Sequence, residues 1–296
     1  MITIQNLSFK YGKKEVLADI SMTLEAGKIY GLLGENGVGK TTLLKIISGL
    51  QKPFAGTCTV QGEDPFRRTP SFLSGIYYLP EDLEFIQIDS PAKQFAKLNA
   101  PFYPKFDHDK FDTILNEFSV DGDKKMNKLS HGQAKKAAIA FALATNVDLL
   151  LMDEPSNGLD IPSKTLFRQI MAQYCLDTTC TVISTHQVRD LENLIDPIII
   201  LDNRAVLLNE SLECITEKLY FGLRPSVPAD ALYFEPTLGG YLCVSENNGD
   251  GESRVNLEAL FNATMRNKSQ IQELFLENRE PRIKSQEPRQ TKRLLD

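Results

Sequence analysis

Ile20, Met22 and Leu24 alternate with polar residues, the period of a strand with one buried face. Ala26-Gly27 supplies a turn into a second strand, Lys28 to Leu33. A glycine-rich stretch, Gly34 to Thr41, comes next, and then Leu43, Leu44, Ile46, Ile47 and Leu50 recur at helical spacing. Val147 to Met152, Thr181 to Thr185 and Ile198 to Leu201 are short apolar runs, the pattern of strands buried on both faces. From Pro162 to Tyr174, Leu166, Phe167, Ile170, Met171 and Tyr174 share one helical face, with Asp160 placed to cap the helix and Pro162 in its first turn. Strands alternating with helices predict an α/β fold whose mainly parallel sheet is covered on both faces.

The pattern changes between residues 85 and 130. Pro91, Pro101 and Pro104 interrupt it, and Phe95, Leu98, Phe111, Ile114, Leu115 and Phe118 sit at helical spacings, so this stretch reads as a helical insertion. Asp202-Asn203-Arg204 reads as a tight turn joining Ile198–Leu201 to Ala205–Leu208 in a hairpin. A smaller α+β unit is expected after it. It has a helix at Leu212 to Leu219, strands at Ala231–Phe234 and Tyr241–Ser245, a turn from Asn247 to Gly251, and helices at Leu257–Met265 and Ile271–Leu276. From Glu277 onward the chain is charged with almost nothing apolar, the composition of a disordered tail. The expected organisation is therefore a main domain over 1–210, an accessory or regulatory α+β domain over 211–276, and a tail over 277–296.

The chain has 296 residues, 42% of them hydrophobic and 24% charged, an ordinary globular composition with enough length for a sizeable core. Its longest apolar run is the eight residues Ala137 to Ala144, far short of the ~18–20 that a spanning helix needs. The N-terminus has no basic region followed by an apolar core, so no secretory signal is expected. A net charge of −6 argues against the phosphate backbone of nucleic acid as the main partner. The five cysteines are scattered and form no Cys-x-x-Cys pair, which reads as reduced thiols in a cytoplasmic protein.

Gly34-x-x-x-x-Gly39-Lys40-Thr41 has the spacing of a nucleotide phosphate loop, directly after a strand and opening a helix. Glycines let backbone N–H groups converge on phosphate, and the helix N-terminus adds its positive end. Gly34, Glu35, Asn36, Gly37, Val38, Gly39, Lys40, Thr41 and Thr42 are thus the candidate nucleotide-binding run. Lys40 is placed to reach the β- and γ-phosphates and the Thr41 hydroxyl to ligate Mg²⁺. The strand Leu149 to Met152 ends in Asp153-Glu154, at the end of the sheet where parallel α/β folds place ligands. Asp153 is the candidate metal ligand and Glu154 the general base for an attacking water. Asn127-Lys128-Leu129-Ser130 lacks the Asp of a guanine reader, which excludes an ordinary GTPase.

Leu129-Ser130-His131-Gly132-Gln133, ahead of the apolar helix Ala134 to Ala144, resembles the signature of ATP-binding cassette (ABC) ATPases. With the phosphate loop and Asp153-Glu154-Pro155 it covers that family's motif set across roughly residues 1–210. Ser156-Asn157-Gly158-Leu159-Asp160 is similar to the loop after the hydrolytic acids, His186 to the switch histidine, and Tyr11 in Phe9-Lys10-Tyr11-Gly12 to the aromatic that stacks on adenine. The resemblance implies a P-loop NTPase of the ABC type, with antiparallel N-terminal strands and a helical subdomain at about 85–145. It also implies that Ser130, Gly132 and Gln133 bind the nucleotide held by a second ATPase subunit, identical or not, in a head-to-tail dimer sandwiching two ATPs, with Ser130, His131, Gly132 and Asp160 at the dimer interface.

Two positions depart from the family pattern. His131 stands where Gly is usual, and Glu81, in Tyr78-Leu79-Pro80-Glu81, stands where Gln is usual; Glu81 is carried as a third candidate Mg²⁺ ligand with Thr41 and Asp153. The expected function is the ATP-hydrolysing subunit of an ABC transporter, resembling bacterial exporter-type subunits with a small C-terminal extension. It would dock on a separate permease at the inner face of the cell membrane. The alternatives are a soluble ABC ATPase acting on nucleic acid or ribosomes, and a cassette that binds ATP without turning it over. The first is disfavoured by the single cassette and the charge, the second by the presence of Glu154 and His186.

Overall fold

The computed structural model describes residues 2–83, 89–249 and 251–276. The tail expected at 277–296 lies outside the described residues, as does Asp250 in the expected Asn247-to-Gly251 turn. β1 (Ile2–Tyr11) and β2 (Lys14–Leu24) pair antiparallel. β3 (Ile29–Leu33) then leads through the glycine loop into α1 (Lys40–Ile47). β4 (Ala55–Val60) joins the far side of β1, giving the order β2-β1-β4. After α2 (Pro70–Ser74) comes β5 (Ile76–Leu79). The helical stretch that follows holds α3 (Ala92–Asn99), α4 (His108–Glu117) and α5 (His131–Ala144).

The chain then re-enters the sheet at β6 (Leu149–Asp153), crosses α6 (Ile161–Tyr174) to β7 (Cys180–Thr185), and continues to β8 (Ile198–Asp202) and β9 (Ala205–Glu210). These strands form one sheet in the order β5-β6-β7-β3-β8-β9, parallel except for β9. Every residue of β6, β7 and β8 is buried. The period-2 alternation divides their side chains between two cores. Leu149, Leu151, Val182 and Ile199 face α1 and the antiparallel sheet, while Leu150, Met152, Ile183 and Ile200 face α5 and α6. Asn203 and Arg204 both have positive φ, matching the turn of a two-residue hairpin between β8 and β9.

α7 (Leu212–Lys218) opens the C-terminal unit. Its strands β10 (Leu219–Arg224), β11 (Tyr233–Thr237) and β12 (Gly240–Glu246) pair antiparallel in the order β10-β12-β11, followed by α8 (Leu257–Arg266) and α9 (Lys268–Leu276). Pro236 lies on an edge strand, where a missing N–H costs no ladder bond.

Three local expectations need correction. α1 stops at Ile47 because Gly49 takes φ +71° and a Cβ there would lie 2.1 Å from the Pro65 carbonyl oxygen. Leu50 is therefore outside the helix and 48% exposed. Leu98 is 61% exposed, since α3 buries the face that carries Ala92 and Ala96. The helix expected to reach Leu219 ends at Lys218, and Leu219 begins β10, a strand the apolar pattern did not mark.

Candidate functional site

Lys40 sets the shape of the glycine loop. Its side chain is buried, and its ammonium donates to the carbonyl oxygens of Gly34 (2.8 Å) and Glu35 (3.1 Å), folding the loop around itself. Gly39 caps α1 at φ +114°, where a Cβ would meet Leu17 Cδ2 at 2.8 Å, whereas Gly37, at φ +82°, faces open space. A loop with left-handed glycines ahead of a helix N-terminus turns successive N–H groups toward one point, the geometry of an anion nest.

A cavity of about 400 Å³ opens above this loop. It is lined by Tyr11, Asn36, Gly37, Gly39, Lys40, Thr41, Thr42, Glu81, Glu154 and His186 from the expected site, and by Lys14, Val16 and Asn157 besides. Tyr11 is 47% exposed and edge-on to Phe9, so its ring stands at the cavity rim.

Asp153 ends β6 and is buried, accepting hydrogen bonds from Ser184 Oγ and, at 3.3 Å, from the Tyr78 hydroxyl. Burial and the neighbouring Asp153 charge push the Tyr78 phenol far up, which keeps it a donor. Glu154 lies past the strand end at φ +46°, and its N–H is held by the backbone and side-chain oxygens of Ser184. That sharp turn aims its carboxylate back into the cavity. Oε1 lies 2.9 Å from His186 Nδ1 and 3.5 Å from Lys40 Nζ. Oε2 is buried and has no hydrogen-bond partner among the described residues. A carboxylate that lines the cavity and keeps one oxygen without a hydrogen-bond partner can serve as the base for an attacking water. His186 is oriented in turn by the Gln187 amide, 3.4 Å from Nε2. Gln187 reaches Asn157 Oδ1 (3.2 Å), and Asn157 donates to Glu81 Oε1 (2.8 Å).

Thr41, Asp153 and Glu81 come from three elements, and among the described residues no three His, Cys, Asp or Glu side chains form a metal cage. One buried carboxylate, one exposed carboxylate and a hydroxyl fit Mg²⁺ that is completed by nucleotide phosphates and water.

The remaining expected residues lie elsewhere on the chain. Gly34, Glu35 and Val38 belong to the loop without lining the cavity. Ser130 caps α5 through a capping box, accepting from the Gln133 N–H at 3.2 Å while Gln133 Oε1 accepts from the Ser130 N–H at 3.1 Å. The His131 ring packs beside Gly158, and Gly132 approaches the Gly158 carbonyl. Asp160 caps α6, and hydrogen bonds from Ser163 hold its carboxyl below the usual range. Ser130, His131, Gly132, Gln133 and Asp160 are thus not brought to this cavity.

Lys135 in α5 is wholly buried and donates to the Glu81 carbonyl oxygen at 2.8 Å. Burial lowers its pKa, and the nearby carboxylates of Glu81, Asp153 and Glu154 act against that. Lys135 and Lys136 are the two lysines in the otherwise apolar stretch Ala134 to Ala144, and only Lys135 is fully buried. Asn157 lies inside the Ser156-to-Asp160 loop and Gln187 directly after His186, and nothing further in the sequence marks either.

Residues 17–157 match the ABC transporter family. The chain is 30% identical over 207 residues to the ABC transporter ATP-binding protein YtrB of Bacillus subtilis, covering 70% of each chain. It is 31% identical over 226 residues to the ABC transporter ATP-binding protein NatA of the same organism, covering 73% of this chain and 92% of NatA. Its fold is similar to the dimeric structure of MJ0796, a bacterial ABC transporter cassette, with a TM-score of 0.62 at 24% identity over 72% of this chain and 99% of that one.

Proposed function

The chain belongs to the ABC transporter ATP-binding proteins, which are ATPases, and from that premise we propose that it powers a separate membrane permease through ATP-driven head-to-tail dimerisation. The observation that carries the catalytic reading is Glu154, buried between Lys40 and His186 with one oxygen unpaired. ATP binds with its phosphates on the N–H groups of Gly37 to Thr41 and its adenine on Tyr11. Lys40, now turned onto its own loop, moves to the phosphates and leaves Glu154 to orient and deprotonate the attacking water. His186 holds that carboxylate and contacts the γ-phosphate. Thr41, Asp153 and Glu81 are the residues that would hold Mg²⁺, which when bound would supply charge neutralisation of the phosphates.

Ser130 and Gly132 have no nucleotide on their own chain in this reading and serve the ATP of the second subunit, with His131 and Asp160 at the same interface. That interface supports closure by ATP and release by hydrolysis. A groove of about 800 Å³ lined by Leu50, Leu73, Tyr78, Phe102 and Tyr103 supports the partner assignment. It is largely apolar, Phe102 is 67% exposed, and Tyr78 connects it to Asp153. No helix among the described residues is long and apolar enough to cross a membrane; in this reading the spanning segments belong to the permease, with this chain peripheral on the inner face. The unit after residue 210 is assigned to dimer contacts or regulation.

Glu154→Gln tests this. ATP binding and ATP-driven dimerisation are expected to survive while turnover falls by roughly 10²–10⁴-fold, the usual worth of a general base. Unchanged hydrolysis would remove Glu154 from its role.

A further inference from the structure

Lys135 is one of the largest fully buried side chains among the described residues, yet it ends in an ammonium group. An alkyl side chain of the same length would fill the same space without desolvating a charge. The ammonium therefore adds a hydrogen bond and a positive charge. The hydrogen bond goes to the Glu81 carbonyl oxygen at 2.8 Å, across 54 residues of sequence. The charge sits where Glu81, Asp153 and Glu154 all act on it. Glu81 is held from its other end as well, by Asn157 Nδ2 at 2.8 Å, and its side chain lines the nucleotide cavity. With Glu81 as a carboxylate, a polyanionic nucleotide must bind in a cavity lined by two acidic side chains, Glu81 and Glu154, where Lys40 pairs with Glu154 and Lys14 is the other lining lysine.

We propose that Lys135 is a positioning residue of the nucleotide site. From inside α5 it fixes the backbone at Glu81 and offsets the carboxylate that Glu81 brings to the phosphate side. Lys135 does not line the cavity, so it acts through Glu81. This ties α5, which Ser130 caps, to the Glu81 segment that lines the cavity. The inference rests on reading the cavity as the ATP site.

The test uses the full chain as wild type, Lys135→Met, Glu81→Gln, and the double variant. Binding of trinitrophenyl-ATP is measured at fixed and varied Mg²⁺, with KM and kcat for ATP. Lys135→Met is expected to weaken Mg²⁺-dependent nucleotide binding and raise KM about tenfold, with a smaller change in kcat. In the Glu81→Gln background the same substitution is expected to cost less than about threefold, because the charge it offsets is gone. If Lys135→Met does not fold, Lys135→Gln replaces it. The amide keeps a donor for the Glu81 carbonyl but carries no charge, and it should show the same dependence on Glu81. Equal losses in both backgrounds, or wild-type binding in Lys135→Gln, would overturn the proposal. A wild-type chain that binds no nucleotide would instead overturn the reading of the cavity.

Discussion

Gly158 has φ +79°, and a Cβ built on it would lie 2.9 Å from Nδ1 of His131. The two constraints differ in weight. Positive φ strains any L-residue by ~1–2 kcal/mol, whereas the His131 side chain is exposed and free to swing aside. Gly158→Ala is therefore expected to lose ~1–2 kcal/mol in urea unfolding, equally in the wild-type and His131→Gly backgrounds. A larger loss that disappears with His131→Gly would show that the ring is held in place. The same contrast between local and distant causes separates the site residues that were legible from those that were not. Lys40 with Thr41, and Asp153 with Glu154, announce themselves because each pair sits in one short local motif, the first where a loop enters a helix and the second at a strand end. Lys135 and Asn157 meet Glu81 across 54 and 76 residues. Those contacts follow from tertiary packing, and no local spacing encodes them.

In the central sheet β3, β6, β7 and β8 are readable because burial on both faces demands continuous apolar runs, and the β8–β9 hairpin because its turn demands positive φ, whereas the four-residue β5, Ile76–Leu79, is too short for its pattern to mark it. β10 is not readable either, since Leu219-Tyr220-Phe221-Gly222-Leu223-Arg224 has no clean period and Gly222 is occupied from above by the Tyr220 ring. Burial in strands also sets the alkaline behaviour. Cys58 on β4 and Cys180 on β7 are pushed up from 9.0 to about 12, and Tyr30 on β3 from 10.0 to about 12, chiefly by desolvation. Below about pH 9 the thiols are protonated folded or unfolded, and their contribution is fully present. Above it the unfolded chain releases protons that the folded chain retains, so stability is lost as pH rises toward 12. Unfolding midpoints should fall across that window, and Cys180→Ala should flatten the fall by at most about 1.4 kcal/mol per pH unit. An identical pH slope in that variant would mean that the Cys180 thiol titrates alike in both states.

One apolar cluster joins Phe111, Phe141 and Phe167 to Leu191 and Ile195 and then to Ile215, Leu260, Ile271 and Phe275 of the C-terminal unit. α8 packs on the turn Val188–Leu191, directly after His186 and Gln187. Arg189 pairs there with Glu258, Arg254 with Asn193, and Lys268 with Asp202. The apolar contacts outweigh the ion pairs in this junction. Arg189 is 78% exposed in its side chain, and exposed pairs are worth about 0–1 kcal/mol, while truncating a buried leucine costs about 2–5 kcal/mol. Arg189→Ala is therefore expected to leave the unfolding midpoint nearly unchanged, and Leu260→Ala to lower stability by about 2–5 kcal/mol. Because the junction is continuous with the core below the nucleotide site, the loss should be shared by the whole molecule. Hydrogen exchange at β6 and β7 and far-UV circular dichroism should report one coincident transition in both variants. If Leu260→Ala opened the C-terminal unit alone, with β6 and β7 still protected and nucleotide still bound, the cluster would be two cores in contact, and the turn after His186 would be uncoupled from the unit packed on it.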